Sequence, residues 1–137
     1  GDIENVKGTP FDFIEPTIIG KRVDDDSQQI KYGFGYDHNF ILDGSGLKVA
    51  AVVIEPNSGR KMEVKTSEPG LQFYGGNFLD GTEFGKRNLP YNYRTAFCLE
   101  AQHFPDSPNQ KHFPSTILNK GEEYKSICIY KFSINKK

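Results

Sequence analysis

A carboxylate and an amide stand two residues apart in the last third of the chain. Glu100 and Gln102 follow the apolar run 97–99, which is typical of a buried strand. If burial extends to Glu100, desolvation raises its carboxyl pKa towards the range that a general base needs at neutral pH. The alternative is a solvent-facing Glu100 with Leu99 and Ala101 directed inward. The segment alone favours this alternative, because most strand glutamates are surface residues.

Other single polar groups are embedded among aromatic residues in two earlier segments. Asp37, His38 and Asn39 lie between Tyr36 and Phe40 in the first of them. Gln72 and Asn77 lie in the second, beside further aromatic residues. Aromatic rings next to carboxylates and amides suit sugars, whose C–H faces stack on rings while their hydroxyl groups need hydrogen-bond partners. The pattern is weak by itself, since polar and aromatic residues alternate in any sandwich.

The sequence argues against several other chemistries. The three histidines, His38, His103 and His112, are not spaced as metal ligands, so we expect no metal site. No serine stands in a nucleophile-elbow context. Cys98 and Cys128 lie in apolar runs, and we interpret them as reduced core residues that could form a disulfide only if their strands are neighbours.

The composition bounds the class of protein and of partner. A chain of 137 residues predicts one domain, 1–137, large enough for a real core. The net charge of -1 gives no electrostatic reason to expect a nucleic acid or an anionic membrane as partner, and small neutral partners are favoured. No apolar run reaches the length of a membrane span. The chain opens on Gly1, so the compartment is left open, with the cytoplasm favoured.

Strands and turns account for most of the remaining pattern. Residues 47–55 and 61–66 predict a hairpin around the turn 56–59, and 61–66 alternates as a half-exposed strand does. A further strand from residue 70 should break at a double glycine, and a final strand is predicted over 122–135. No long helix is indicated. Six or so strands joined by turns predict an all-β fold, an antiparallel β-sandwich.

Six ordered motifs are spread along nearly the whole chain: Gly-Thr-Pro-Phe-Asp-Phe at 8–13, Tyr-Asp-His-Asn-Phe at 36–40, Gln-Phe-Tyr-Gly-Gly-Asn-Phe-Leu-Asp-Gly at 72–81, Phe-Cys-Leu-Glu-Ala-Gln at 97–102, Phe-Pro-Asp-Ser-Pro-Asn at 104–109 and Gly-Glu-Glu-Tyr at 121–124. Together they resemble the C-terminal part of the galactose mutarotase (aldose 1-epimerase) family. The resemblance implies part of a large antiparallel β-supersandwich. It also implies a reaction, without a cofactor, that interconverts the α and β anomers of free aldoses such as galactose and glucose.

The same resemblance implies roles for three residues. Glu100 matches the family's general base, and Asp37 and Gln72 match residues that hydrogen-bond sugar hydroxyls. Gly75 stands where relatives often carry threonine. In the family the acid is a histidine of the N-terminal half, which this chain does not include. We do not expect any histidine here to replace it: one is adjacent to Asp37 and should face the opposite way, and two lie in a loop.

A sandwich cut roughly in half should expose an apolar face and unpaired strand edges. Such a surface favours a homodimer, aggregation, or a complementing N-terminal half. Three functions remain open for the chain: the C-terminal part of an aldose 1-epimerase, a non-catalytic carbohydrate-binding sandwich, or a structural fragment that pairs with another chain.

Overall fold

The computed structural model describes residues 1–134 and is nearly all β. The strands lie in two antiparallel three-stranded sheets, ordered β1-β4-β5 and β2-β3-β6. Their bounds are β1 Asp37–Ile41, β2 Lys48–Ile54, β3 Arg60–Thr66, β4 Gly70–Tyr74, β5 Cys98–Gln102 and β6 Cys128–Ile134. One α-helix, α1, spans Gln28–Gly33, and two 3-10 helices span Ile19–Lys21 and Lys86–Asn88. The prediction of an all-β antiparallel fold is therefore confirmed. A helix able to cross a membrane does not occur within residues 1–134.

The chain divides into two compact units. Unit 1 comprises residues 1–38 and 73–98, and unit 2 comprises residues 39–72 and the chain from Leu99 onward. Unit 2 contains the whole β2-β3-β6 sheet. It also contains the parts of β1, β4 and β5 that carry most of the candidate chemistry.

Aromatic rings form the centre of unit 1. The side chain of Tyr36 is fully buried, and its ring stacks on Phe73 with centroids 5.1 Å apart. Phe13 and Phe11 meet the same ring edge-on, at 5.2 and 5.9 Å. The Tyr36 hydroxyl donates a hydrogen bond to the Pro10 carbonyl at 3.1 Å. The Phe-Asp-Phe segment is thus an ordered part of this core, because edge-to-face and offset pairs of rings are favourable.

The double glycine after β4 forms a tight turn in unit 1. Gly75 N–H donates to the Tyr36 carbonyl at 2.8 Å, and the buried Asn77 amide donates to the same carbonyl at 2.7 Å. Gly76 has φ +72°, and a Cβ there would stand 2.6 Å from the Ala96 carbonyl oxygen. Only glycine combines this dihedral with this close approach. The predicted break of the strand at this point is confirmed.

The β2–β3 hairpin of unit 2 follows the predicted alternation. β2 and β3 pair antiparallel, with a register shift between Val49 and Ala51. β6 adds to the other edge of β3, so that Val64 stands opposite Tyr130. The Val64 side chain is fully buried and supplies apolar mass to the core of this unit.

The structure corrects two expectations and adds one short helix. β6 begins at Cys128, not at residue 122, and the predicted end at Asn135 lies outside the described residues. Helix α1 was not predicted, because six residues make fewer than two turns and show little periodicity. Cys98 and Cys128 are reduced, as expected, but their interpretation as core residues is wrong: both are exposed, each at the first position of its strand.

Candidate functional site

Two of the three residues expected to form the site lie on neighbouring strands of unit 2. Gln72 is central in β4, and Glu100 is central in β5. β4 and β5 are adjacent in the sheet order. Asp37 is half-buried and opens β1 in unit 1. Asp37 thus stands at a strand start, and Gln72 and Glu100 stand at strand centres.

The pairing of β1 with β4 places Asn39 opposite Gln72. Leu42 N–H donates to the Pro69 carbonyl at 2.9 Å, which sets residue 42 against residue 69. Three residues inward along this antiparallel pair, Asn39 faces Gln72, and both side chains lie on the same side of the sheet. Leu71 is buried on the other side. An amide pair therefore occupies one face.

A third amide reaches this face from β5. The Gln102 amide donates to the Asn39 Oδ1 atom at 3.2 Å. The bridge passes close to Gly70, where an added Cβ would lie 2.8 Å from that oxygen and 3.0 Å from Phe104. A side chain at position 70 would therefore displace the Asn39 amide or the Phe104 ring, although the backbone dihedrals of Gly70 do not themselves demand glycine. The sequence singled out Asn39 and Gln102 as polar groups, but not as partners.

Glu100 shares the face of Gln102, because the two residues are two positions apart on β5. Its side chain is exposed, whereas Leu99 and Ala101 are half-buried. The Leu99 carbonyl accepts a hydrogen bond from the Tyr130 hydroxyl at 2.5 Å. The solvent-facing alternative, which the segment by itself favoured, therefore describes Glu100 in this chain. In unit 2 a hydrated carboxylate thus stands on the face that carries three amides.

His38 packs where α1 meets β1 in unit 1. Its Nδ1 atom accepts a hydrogen bond from Asp37 N–H at 3.0 Å, and its ring lies 4.5 Å from that of Phe11. Burial lowers the pKa of His38, which outweighs the opposing influence of the Asp37 charge. The neutral ring is therefore favoured, and its contacts are those of a packing residue.

The other two histidines lie in unit 2 and make different contacts. His103 follows β5 directly, and its Nδ1 atom lies 2.7 Å from an oxygen of the buried Glu68 carboxylate. His112 is exposed, with its ring 4.5 Å from that of Phe113. Sequence reasoning missed the Glu68–His103 pair, because the two residues are 35 positions apart and no local pattern connects them.

Unit 1 also contains an apolar cleft of about 260 Å³, lined in part by Ile19, Val23, Ala96 and Phe97. None of the predicted site residues lines it. In residues 1–134 there is no cluster of three or more histidine, cysteine, aspartate or glutamate side chains that could hold a metal ion. Glu100 and Gln72 lie instead on strands β5 and β4 of unit 2.

Comparison with known proteins identifies the family of this chain. A family model described as "Aldose 1-epimerase" matches residues 1–131. The chain is 47% identical over 135 residues to the galactose mutarotase of Bos taurus, and 45% identical to that of Homo sapiens. It is 41% identical over 136 residues to the aldose 1-epimerase of Escherichia coli. These matches cover 95–98% of this chain but only 38% of each relative, in the C-terminal part.

A solved structure supports the fold. The crystal structure of a GalM/aldose epimerase homologue from C. elegans matches with a TM-score of 0.80 and 26% identity. The match covers 99% of this chain and 40% of that one. The predicted membership of a galactose mutarotase-like β-supersandwich is confirmed by this similarity together with the two antiparallel sheets.

Proposed function

The chain belongs to the aldose 1-epimerase family, and on that premise we propose that it carries the general base and part of the sugar-binding wall of an aldose 1-epimerase. The reaction would interconvert the α and β anomers of free aldohexoses such as galactose and glucose. The observation that carries the proposal is the polar face of unit 2, where Glu100 stands with Gln72, Asn39 and Gln102. The chain spans 38% of the length of the relatives it matches, so the activity of a whole protein is itself part of the proposal.

The chemistry assigned to Glu100 is general base catalysis. Its carboxylate takes the proton from the C1 hydroxyl while another group gives a proton to the ring oxygen, and the bond between C1 and the ring oxygen breaks. Rotation about the C1–C2 bond presents the other face of the aldehyde, and the reverse proton transfers close the ring as the other anomer. No electrons are gained or lost, so the reaction needs no redox cofactor.

Gln72 and Asp37 are assigned to the sugar hydroxyls. The Gln72 amide can donate and accept at once, which suits a hydroxyl that does the same. The Asp37 carboxylate can accept hydrogen bonds from two neighbouring hydroxyls. Fixed contacts of this kind hold C1 near the base, and such positioning supplies a large part of the rate enhancement in many enzymes.

We propose that the acid comes from outside these 137 residues. His38 is half-buried against Phe11 and its pKa is lowered by burial, whereas an acid must carry a proton near neutral pH. The Nδ1 atom of His103 is engaged by Glu68. The ring of His112 packs edge-on against the ring of Phe113. A preceding segment of a longer protein, or a complementing chain, would then supply the proton donor.

The surface of unit 2 supports a partner of this kind. β6 is exposed along its described length, and three of its large apolar side chains are at least 45% exposed: Tyr130, Phe132 and Ile134. It is also an edge strand in the order β2-β3-β6. A second copy or an N-terminal half that pairs with this edge would cover the apolar side chains. Sedimentation of the chain from micromolar to millimolar concentration tests self-association directly.

The first test of function is polarimetric. The optical rotation of freshly dissolved α-D-galactose or α-D-glucose is followed with the chain, with Glu100→Gln, with Glu63→Gln as a matched control, and with buffer alone. Loss of a positioned base should reduce any catalysed rate by about 10²–10⁴-fold, whereas the Glu63→Gln rate should stay unchanged. A rate equal to that of buffer for the unmutated chain would mean that it is not a complete site.

One alternative is favoured by a specific observation. The Asn39–Gln102 hydrogen bond and the neighbouring Gln72 form an amide surface that can bind hydroxyl groups without any acid. A carbohydrate-binding sandwich without turnover would show galactose-induced NMR shifts at these side-chain amides, and a polarimetric rate equal to that of buffer. A structural fragment would show neither.

A further inference from the structure

Glu68 is a buried carboxylate that the proposed chemistry does not use. Its side chain is 3% exposed, and it lies in the short connection between β3 and β4. Burying a carboxylate is costly unless several donors surround it. Three donors do so here: the Tyr124 hydroxyl at 2.5 Å, the His103 ring nitrogen at 2.7 Å and the Ser126 side chain.

These donors come from different places in the chain. His103 is the first residue after β5, and Tyr124 and Ser126 precede β6. Glu68 itself stands two residues before β4. Its own backbone is fixed as well, because its N–H donates to the Thr66 hydroxyl at 3.0 Å and its carbonyl accepts from Lys48 Nζ at 2.8 Å. One carboxylate therefore ties together the start of β4, the end of β5 and the approach to β6.

The tied strands are those that carry the polar face. Gln72 stands on β4 four residues after Glu68, and Glu100 stands on β5 three residues before His103. Along β5, Glu100 and Gln102 point to one face, so the contact of His103 with Glu68 fixes the end of the strand without occupying that face. Glu100 itself is exposed, and the carbonyl of its neighbour Leu99 accepts a hydrogen bond from the Tyr130 hydroxyl.

We propose that Glu68 is a positioning residue, which holds β5 through His103 and so fixes Glu100 relative to Gln72. This role rests on the proposed function, because Glu100 and Gln72 matter as a pair only if they share a sugar. Glu68 does not touch the sugar. Removal of its charge is expected to loosen the end of β5 while the β2–β3 hairpin stays intact.

The test measures strand order and sugar binding separately. Glu68→Gln keeps the shape and one acceptor for Tyr124 but loses the charge that pairs with His103. Hydrogen exchange at the Glu100 and Ala101 amides should rise by roughly tenfold in this variant. Exchange at the Val52 and Val64 amides of the hairpin should stay within twofold. His103→Gln should reproduce the pattern, and the double variant should add little, as expected for partners in one contact.

The matched control is Glu63→Gln on β3, which removes a carboxylate of the same unit that pairs with Lys65 at 3.3 Å. It should change neither the exchange at Glu100 nor the affinity for galactose. The galactose-induced NMR shifts at the Gln72 amide give a Kd for galactose. Glu68→Gln should raise this Kd by roughly three- to tenfold.

The possible outcomes separate the two proposals. Unchanged exchange at Glu100 in Glu68→Gln, or an equal rise at Val52 and Val64, would overturn the positioning role and leave Glu68 as an ordinary contributor to stability. Absence of galactose-induced shifts in the unmutated chain would count against the proposed function alone. The exchange measurement would still decide whether Glu68 holds the end of β5.

Discussion

The two units are stabilised in different ways. Unit 1 has the ring of Tyr36 at its centre, in contact with Phe11, Phe13 and Phe73. Unit 2 buries the carboxylate of Glu68 in addition to apolar side chains of its sheet. Ring packing depends on volume and tolerates small changes in direction, whereas a buried carboxylate requires each donor at one distance and angle. The polar face of the candidate site lies in unit 2, which is the unit with the buried carboxylate and its directional contacts.

The largest effect is expected for Tyr36→Ala in unit 1. Removal of a fully buried ring leaves a cavity among three aromatic neighbours and should lower the free energy of unfolding by about 3–5 kcal/mol. Tyr36→Phe keeps the ring and removes the hydroxyl, which donates to Pro10 and also contacts Arg22, and should cost about 0.5–1.5 kcal/mol. Denaturant unfolding measures both. Equal losses in the two variants would show that the hydroxyl, and not the ring, stabilises unit 1.

A smaller effect is expected for Gly70→Ala in unit 2. The new Cβ would lie 2.8 Å from Asn39 Oδ1 and 3.0 Å from the Phe104 ring, so the Gln102–Asn39 bridge must move. Overpacking of this kind costs about 1–3 kcal/mol. The control is Gly20→Ala in unit 1, where no atom lies within 4 Å of the added Cβ. If Gly70→Ala left the Asn39 and Gln102 side-chain NMR signals in place, the bridge would not depend on the glycine.

The smallest and most specific effect concerns pH. Burial raises the pKa of Glu68, but hydrogen bonds from Ser126, Tyr124 and His103 outweigh it, so the pKa lies below the ordinary value of 4.5. The ionised form is thus preferred in the folded state. Its stabilisation is fully present above pH 4.5 and is lost as the pH falls through the lowered value.

The pH dependence of stability tests the Glu68 contacts of unit 2. The unfolding free energy of the unmutated chain should fall on the acid side, and Glu68→Gln should show a flatter acid limb because its side chain does not titrate. Tyr124→Phe should lie between the two, since it removes one of the three donors. Unfolding followed by denaturant at several pH values measures the slopes. Identical acid limbs in Glu68→Gln and the unmutated chain would remove Glu68 from the pH dependence.

The sequence by itself determined much of the fold. Alternation over 61–66 and the turn at 56–59 predicted the β2–β3 hairpin to within one residue at each strand end. The double glycine at positions 75 and 76 predicted that β4 ends before Gly75. These features depend on neighbours in sequence, which is why local patterns reveal them. The six ordered motifs also indicated the family, which the comparisons then showed.

Tertiary structure alone decided burial and long-range partners. The apolar run before Glu100 suggested a buried strand, yet Glu100 and Cys98 are exposed, because burial depends on what covers a strand and not on its composition. Glu68 meets Tyr124 across 56 positions, and Gln102 meets Asn39 across 63. Such pairs arise only when folding brings distant strands together.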